Sequence, residues 1–311
     1  MAIQRSSLKT GPAIVTHDSG VYYFKNGITL TEEIETFEIL VDNLGKVDER
    51  IKDRRVRISG DPAGEWENLA KLFPWIGAAI GTRLHGDTDR ALVIHALDGT
   101  VYTYHNATLT KMPNLRFAAT ETLLGNVEWT ARVKDNTEPT AANSLFTRST
   151  SSFADVSFVT ANVKTQPYTL NWGSSPWDAF RTVDGVTVEF NLSTQDLLVD
   201  GYGVVDQIIS DLQVSAKFKP LGITQADIDA KLALQNSANA AQGASLSARG
   251  TDLVITGTDV HVIVRGAAAK SMGQEFGMGK LRNGEMLAVA TRSFDEGAAL
   301  PLAYIGTEAP A

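Results

Sequence analysis

The chain has 311 residues, 43% of them apolar and 21% charged, with no cysteine and a formal net charge of −8. This length exceeds what one hydrophobic core usually holds, so we expect two domains. The absence of cysteine excludes disulfides, thiolate nucleophiles and sulfur-ligated zinc. An acidic chain without a basic cluster is also not expected to bind nucleic acid through its phosphates.

The chain contains no window of about 18 apolar residues, so we predict no membrane insertion. The first residues, MAIQRSSLKTGPAIV, lack the long apolar core and cleavage site of a secretory signal. We therefore expect the protein to be made in the cytoplasm.

Short apolar runs of alternating polarity predict β-strands in the first half of the chain. These runs are GVYYF (20–24), GITLT (27–31), VRISG (56–60), ALVIH (91–95) and VYTYH (101–105). Asp98-Gly99 lies between the last two runs, and Asp-Gly between alternating strands is a strong hairpin signal. The expected fold class is mainly β.

A densely charged stretch lies between the early strands. Nine of the twelve residues from Lys46 to Arg57 are charged, and four glutamates precede them. Charge of this density is typical of a solvated hairpin, and it is also compatible with a contact surface. The candidate contact residues are Glu32, Glu33, Glu35, Glu38, Lys46, Asp48, Glu49, Arg50, Lys52, Asp53, Arg54, Arg55 and Arg57.

The period of the pattern changes at residues 61–73, where we predict one short helix. Asp61 can cap this helix and Pro62 suits its first turn, while Pro74 ends it. One apolar face is formed by Trp66, Leu69, Ala70 and Phe73. Such a helix is expected to cover a sheet as a lid.

The second half of the chain repeats this plan. Ala70-Lys71-Leu72 recurs as Ala230-Lys231-Leu232, and residues 107–132 align with 267–292 at the same offset of about 160. A second lid helix is predicted there, with Ile228 and Leu232 four residues apart on its apolar face. Residues 19–33 also resemble 184–198, at an offset near 165. We interpret the chain as an internal duplication.

The duplication predicts two tandem domains of mainly β structure. We place the first domain at residues 1–135 and the second at 171–311. The segment between them, residues 136–170, is predicted to connect the domains because it begins with a polar stretch rich in Asn, Thr, Ser and Ala.

No motif predicts a catalytic, cofactor or metal site. GMGK (277–280) lacks the remaining P-loop residues, and no G-x-S-x-G pattern is present. The five histidines are scattered without the spacing of metal ligands. We therefore predict a protein without enzymatic activity.

Three segments together resemble the tail tube proteins, or major tail proteins, of long-tailed phages. The first is VRISGDPAGEWENLAKLFPWIGAAIGTRLHG (56–86), the second is residues 89–133, and the third is DNTEPTAANSLF (135–146). The resemblance implies two tandem antiparallel β-sandwich or barrel domains, each with one short flanking α-helix. It also implies a self-assembling virion protein whose stacked rings form a conduit for DNA delivery. Its location would be the virion tail.

The resemblance also implies the partners. Three two-domain chains would close a ring of pseudo-sixfold symmetry, and the alternative is six chains with the second copy outside. The tube would contact tape measure, tail terminator and tail-tip proteins. Genomic DNA would pass through an acidic lumen without specific binding, and the charged stretch would contact the next ring.

Other functions remain open at this point. A tail hub or distal adaptor uses similar paired domains, and a secretion-system tube is built on the same fold. A carbohydrate-binding β-sandwich is a further alternative, which would require an exposed aromatic platform.

Overall fold

The computed structural model describes residues 13–63, 69–86, 90–118, 124–132, 144–151, 168–199, 203–232, 245–257, 260–274, 283–291 and 301–307. These residues form two antiparallel sheets of eight strands each. The predicted mainly β class is confirmed, and the strand pattern arises from the alternating apolar positions found in the sequence.

The first sheet is built from residues of the first half of the chain, 13–151. Its strands are β1 (Ala13–His17), β2 (Gly20–Val41), β3 (Gly45–Ala63), β4 (Leu92–Ala96), β5 (Thr100–Tyr104), β6 (Ala107–Lys111), β8 (Val127–Arg132) and β9 (Phe146–Thr150). They are ordered β6-β8-β3-β2-β1-β4-β5-β9. The predicted Asp98-Gly99 turn joins β4 to β5, with Gly99 at φ +80°.

The second sheet uses the second half, residues 168–307, and one strand of the first half. Its strands are β7 (Leu115–Phe117), β10 (Thr169–Asn171), β11 (Arg181–Val199), β12 (Gly203–Leu221), β13 (Thr251–Thr256), β14 (His261–Gln274), β15 (Asn283–Val289) and β16 (Ala303–Gly306). The order is β10-β13-β14-β15-β12-β11-β7, with β16 also paired to β14. Helix α1 (Gln225–Leu232) follows β12.

The two halves share one pattern of strand pairing. The run β1-β4-β5-β9 corresponds to β10-β13-β14-β16, and the run β6-β8-β3-β2 corresponds to β14-β15-β12-β11. One long strand, β14, therefore takes the places of both β5 and β6. The corner between β5 and β6 is Asn106 at φ 47°, and 160 residues later β14 bends at Gly266 with φ 51°.

The long hairpins also match in register. Hairpin 1 (β2–β3) and hairpin 2 (β11–β12) each have three register shifts at corresponding places. Gly27 and Gly185, in the first of these shifts, are 158 residues apart and have φ of +84° and +91°. The other two shifts are at Glu35/Thr36 with Ser193/Thr194, and at Ile39/Leu40 with Leu197/Leu198.

This register corrects the alignment of residues 19–33 with 184–198. The predicted offset near 165 is wrong for the hairpins, where the shifts recur at 158. Similar alternation fits several offsets of a strand, whereas bulges and turns fix one register.

The helix predicted over residues 61–73 is wrong at its start. Pro62 pairs with Phe24 and Ala63 with Tyr23, so these residues extend β3, and the Asp61 carboxylate accepts a hydrogen bond from Asn126. Pairing with β2 overrides the local capping signal. Leu69 is helical, and a 3-10 turn follows at Ala70–Leu72.

Strand β9 lies inside the predicted connecting segment, where it pairs with β5, and β10 begins at Thr169. Residues of this segment therefore belong to both sheets. The domain boundaries at 135 and 171 stay a prediction.

One hydrophobic core runs through both halves. Phe73 of the first half packs edge-on against Phe190 of the second, with ring centroids 5.3 Å apart. Trp129 and Trp172 are fully buried in the respective halves. Because the core is continuous, close packing of side chains holds the two halves in one relative position.

Corresponding glycines in the hairpins provide a test of this arrangement. At Gly185, an added Cβ would lie 2.3 Å from the carbonyl oxygen of Phe117 on β7, whereas at Gly27 it would meet nothing within 4 Å. We expect Gly27→Ala to cost about 1 kcal/mol of unfolding free energy from its positive φ. Gly185→Ala should cost about 2 kcal/mol more, because overpacking displaces β7. Urea unfolding of both variants measures the difference, and equal losses would contradict the β7–β11 contact.

Candidate assembly interface

Both hairpins extend beyond the sheets that contain their bases. Among the residues that the structure describes, β3 pairs with β8 only over Arg55–Gly60, and β12 pairs with β15 only over Ser215–Phe218. Nearer its turn, each strand has an outer edge that its own sheet does not cover. Such edges offer backbone donors and acceptors to another segment.

The outer edge of hairpin 2 is covered by residues 81–86 of the first half, which we call the docking segment. The Ile209 N–H donates to the Thr82 carbonyl at 2.9 Å, and the Gly81 N–H donates to the Ile209 carbonyl at 2.8 Å. The Leu84 N–H donates to the Gln207 carbonyl at 2.8 Å. The docking segment thus adds to β12 through three backbone hydrogen bonds.

Asp206 fixes the register of this contact. Its carboxylate is fully buried and accepts hydrogen bonds from Arg83 Nε at 2.7 Å, from the His85 N–H at 3.0 Å and from the Gly86 N–H at 3.2 Å. A buried carboxylate requires such donors, because its desolvation is otherwise unfavourable. One side chain of hairpin 2 therefore holds both ends of the turn at residues 83–86.

His85 anchors the docking segment to the first sheet. Its Nδ1 lies 2.8 Å from the Asn106 carbonyl oxygen, and Thr108 Oγ1 donates to the Leu84 carbonyl at 3.0 Å. Burial lowers the pKa of His85 to about 4. The neutral ring, with the proton on Nδ1, satisfies this geometry.

A second polar contact joins the halves at Arg132, which is buried. Its Nη2 lies 3.2 Å from Asp53 Oδ2 on hairpin 1 and 3.8 Å from Asp196 Oδ1 on hairpin 2. Burial raises the pKa of Asp53, and the Arg132 charge opposes this shift. Burial also lowers the pKa of Arg132. The guanidinium therefore links the middle of hairpin 1 to the part of hairpin 2 that lies near its turn.

The predicted contact residues all lie on hairpin 1, and all except Asp53 are exposed or half-buried. Several pair with one another across the strands: Arg55 Nε lies 2.6 Å from Glu33 Oε2, and Lys52 Nζ lies 2.6 Å from Glu35 Oε1. The hydrogen bond from Arg55 lowers the pKa of Glu33. Lys46 pairs with Glu38 across the strands and with Glu49 on its own strand. The charge network supports the hairpin itself, although exposed pairs contribute little each.

The sequence analysis missed the apolar residues that alternate with these charges. Ile34, Leu40 and Ile51 are 63%, 69% and 58% exposed, and Leu44 at the turn is 74% exposed. The apolar positions in EIETFEILVDNLGKVDERI (33–51) are the signal that could have found them. An exposed apolar surface of this kind marks an interaction site.

The residues predicted to form the helix lids lie against the core. Leu69, Phe73, Ile228 and Leu232 are buried, and Ala70 is half-buried against the core. Trp66 lies outside the described residues.

The two lysines that the repeat aligned also make corresponding contacts. Lys71 Nζ donates to the Ser19 carbonyl at 3.1 Å, and Lys231 Nζ donates to the Trp172 carbonyl at 2.8 Å. Each lysine thus ties its helical segment to the chain following the first strand of its half. Burial lowers the pKa of Lys231, which lies 4.5 Å from the Trp172 ring centroid.

Within the described ranges, no group of three or more His, Asp or Glu side chains is placed to hold a metal ion. No helix in the described part of the chain is long and apolar enough to cross a membrane.

No protein-family model matches the chain, and no curated protein matches it. Among solved structures, the crystal structure of MucB in complex with MucA(peri) aligns at 12% identity over 96% of this chain and 92% of that chain, with a TM-score of 0.15. A TM-score this low carries no argument about fold or function.

Asp206 is expected to be a main determinant of the contact between the halves. Asp206→Ala should lower the unfolding free energy by about 3 kcal/mol, because Arg83 and two backbone N–H groups lose their buried acceptor. The corresponding residue of hairpin 1, Asp48, is exposed, so Asp48→Ala serves as the matched control with little expected change in the isolated chain. Urea unfolding at unchanged m-value measures both variants. Equal effects would contradict the assigned role.

Because the pKa of His85 is lowered in the folded protein, we predict that the protein loses stability in acid. Its folded pKa of about 4 lies below the ordinary value of 6.5, so the unfolded chain binds the proton first. This contribution to stability is complete above pH 6.5 and is lost as the pH falls toward 4, by roughly 3 kcal/mol. Urea unfolding of the wild type and His85→Gln between pH 7 and 4 isolates the contribution. Parallel pH profiles would show that His85 makes none.

Proposed function

We propose that this protein is a structural protein of a phage tail, in which its chains assemble into stacked rings that form the tail tube. The observation that carries the proposal is the repeated pairing pattern of the two halves, each with one long hairpin. Two tandem units of one plan, held in a fixed relation, can supply two neighbouring positions of a ring of repeated domains.

The contact between the halves supports this proposal. Hairpin 2 lies on the first half in a head-to-tail manner, with the hairpin of one unit on the docking segment of the other. Head-to-tail contacts close into rings when their rotation returns on itself. Three chains with two units each would give a ring of six units, as the sequence resemblance implies.

The exposed surface of hairpin 1 supports self-assembly further. Ile34, Leu40, Leu44 and Ile51 are more than half exposed in the single chain. Soluble proteins rarely leave such a surface uncovered unless it binds a partner. The charged residues of hairpin 1 remain candidates for the contact with the next ring.

The charge of the chain is compatible with a DNA conduit. A net charge of −8 favours a lumen that repels phosphate, so that DNA passes without binding. Tape measure, tail terminator and tail-tip proteins would be the other partners, and the assembled protein would be located in the virion tail.

Electron microscopy tests the proposed function directly. We expect concentrated purified protein, viewed in negative stain, to form rings or tubes with a central hole. The reason is that hairpin 1 of each chain exposes the outer edge of β3 and several apolar side chains. Analytical ultracentrifugation should give a ring mass of three chains. A mass of six chains would support the arrangement with the second half outside, and monomers at every concentration would contradict the proposal.

A further inference from the structure

We infer that the outer edge of β3, from Lys46 to Lys52, docks on the second half of a neighbouring copy of this chain. The contact inside the chain would then be repeated between chains. This inference rests on the proposed self-assembly and adds which strand edge forms the lateral contact.

The register of the two hairpins supplies the first step. Because their shifts recur at an offset of 158, each residue of β3 near the turn has a counterpart on β12. Asp48 corresponds to Asp206, and Ile51 corresponds to Ile209. Both residues of β12 are bound by the docking segment.

The exposure of the counterparts supplies the second step. Ile209 is 1% exposed under the docking segment, whereas Ile51 is 58% exposed. Asp206 is fully buried, whereas Asp48 is exposed. Within the described residues, β3 has no backbone pairing on its outer edge between Lys46 and Lys52. Equivalent surfaces are thus buried in one half and open in the other.

The partner that covers this edge of β3 is a second copy of this chain. In the covered contact, a hairpin of one unit meets a unit of the same strand-pairing plan. The second half of a neighbouring chain presents that plan again, so hairpin 1 can form the same kind of contact there. The contact is head-to-tail, which fits a closed ring and not a two-fold dimer.

Substitutions at Ile51 test this strand edge. The N–H of Ile209 donates to the docking segment, so Ile51→Pro should remove the equivalent donor and Ile51→Lys should place a charge in the contact. We expect each variant to weaken self-association at least tenfold in sedimentation velocity while the thermal unfolding of the monomer stays unchanged. The matched variant Ile209→Lys should lower the unfolding temperature of the monomer instead. If Ile51→Pro perturbs the hairpin, Ile51→Lys retains the test.

Cross-linking identifies the surface that is contacted. Because the chain has no cysteine, Arg50→Cys provides a single thiol for a benzophenone maleimide on the proposed edge. Mixing isotope-labelled and unlabelled chains separates links between chains from links within one chain. We expect links between chains to reach peptides of the second half. Links to hairpin 1 of the neighbour would overturn the inference in favour of edge-to-edge pairing.

The outcomes separate this inference from the proposed function. Wild-type rings with equally stable rings of the Ile51 variants would overturn the inference and leave the proposed function standing. Variants that form rings but no tubes would assign this edge to stacking between rings and would also overturn it. A wild-type chain that stays monomeric up to its solubility limit would overturn both.

Discussion

The contact of hairpin 2 with the docking segment holds the two halves of the molecule in one arrangement. A strand that extends past its sheet exposes backbone N–H and C=O groups. Each hydrogen bond that these groups form within the protein contributes about 1 kcal/mol net to stability. The buried carboxylate of Asp206 adds to the three backbone hydrogen bonds of this contact by accepting from Arg83 and from two backbone N–H groups of the docking segment, donors that another register would displace. With hairpin 2 in this position, Asp196 lies near Arg132 and Phe190 packs against Phe73.

The two halves share one pattern of strand pairing although most of their residues differ. His17 at the end of β1 and Trp172 after β10 are chemically different, yet the ring nitrogen of each lies 3.0 Å from the carbonyl oxygen of a corresponding alanine, Ala107 or Ala267. A ring N–H in that place is what the two sites share. The same buried carbonyl position is therefore satisfied by two different side chains.

The sequence predicted parts of β2, β3, β4 and β5, the Asp98-Gly99 turn and the correspondence of Lys71 with Lys231, because alternation, turn residues and local identities are all short-range signals. It misplaced the start of the first helix, since pairing of Pro62 with Phe24 depends on a distant strand. The burial of Asp206 under the docking segment could not be predicted from the sequence either. Asp48 and Asp206 are the same residue type at the same hairpin position, and only the tertiary contact distinguishes them.

The difference between exposed Asp48 and buried Asp206 shows how a chain with two similar units divides its interfaces. A single unit that assembles head-to-tail has one hairpin edge and one acceptor surface, and every contact lies between chains. Fusing two units places one of these contacts inside the chain, where it becomes part of the folded core. The remaining hairpin keeps an exposed apolar surface and a charge network on the same strands. The charges pair with one another across the hairpin, while its apolar residues supply the area that association would bury.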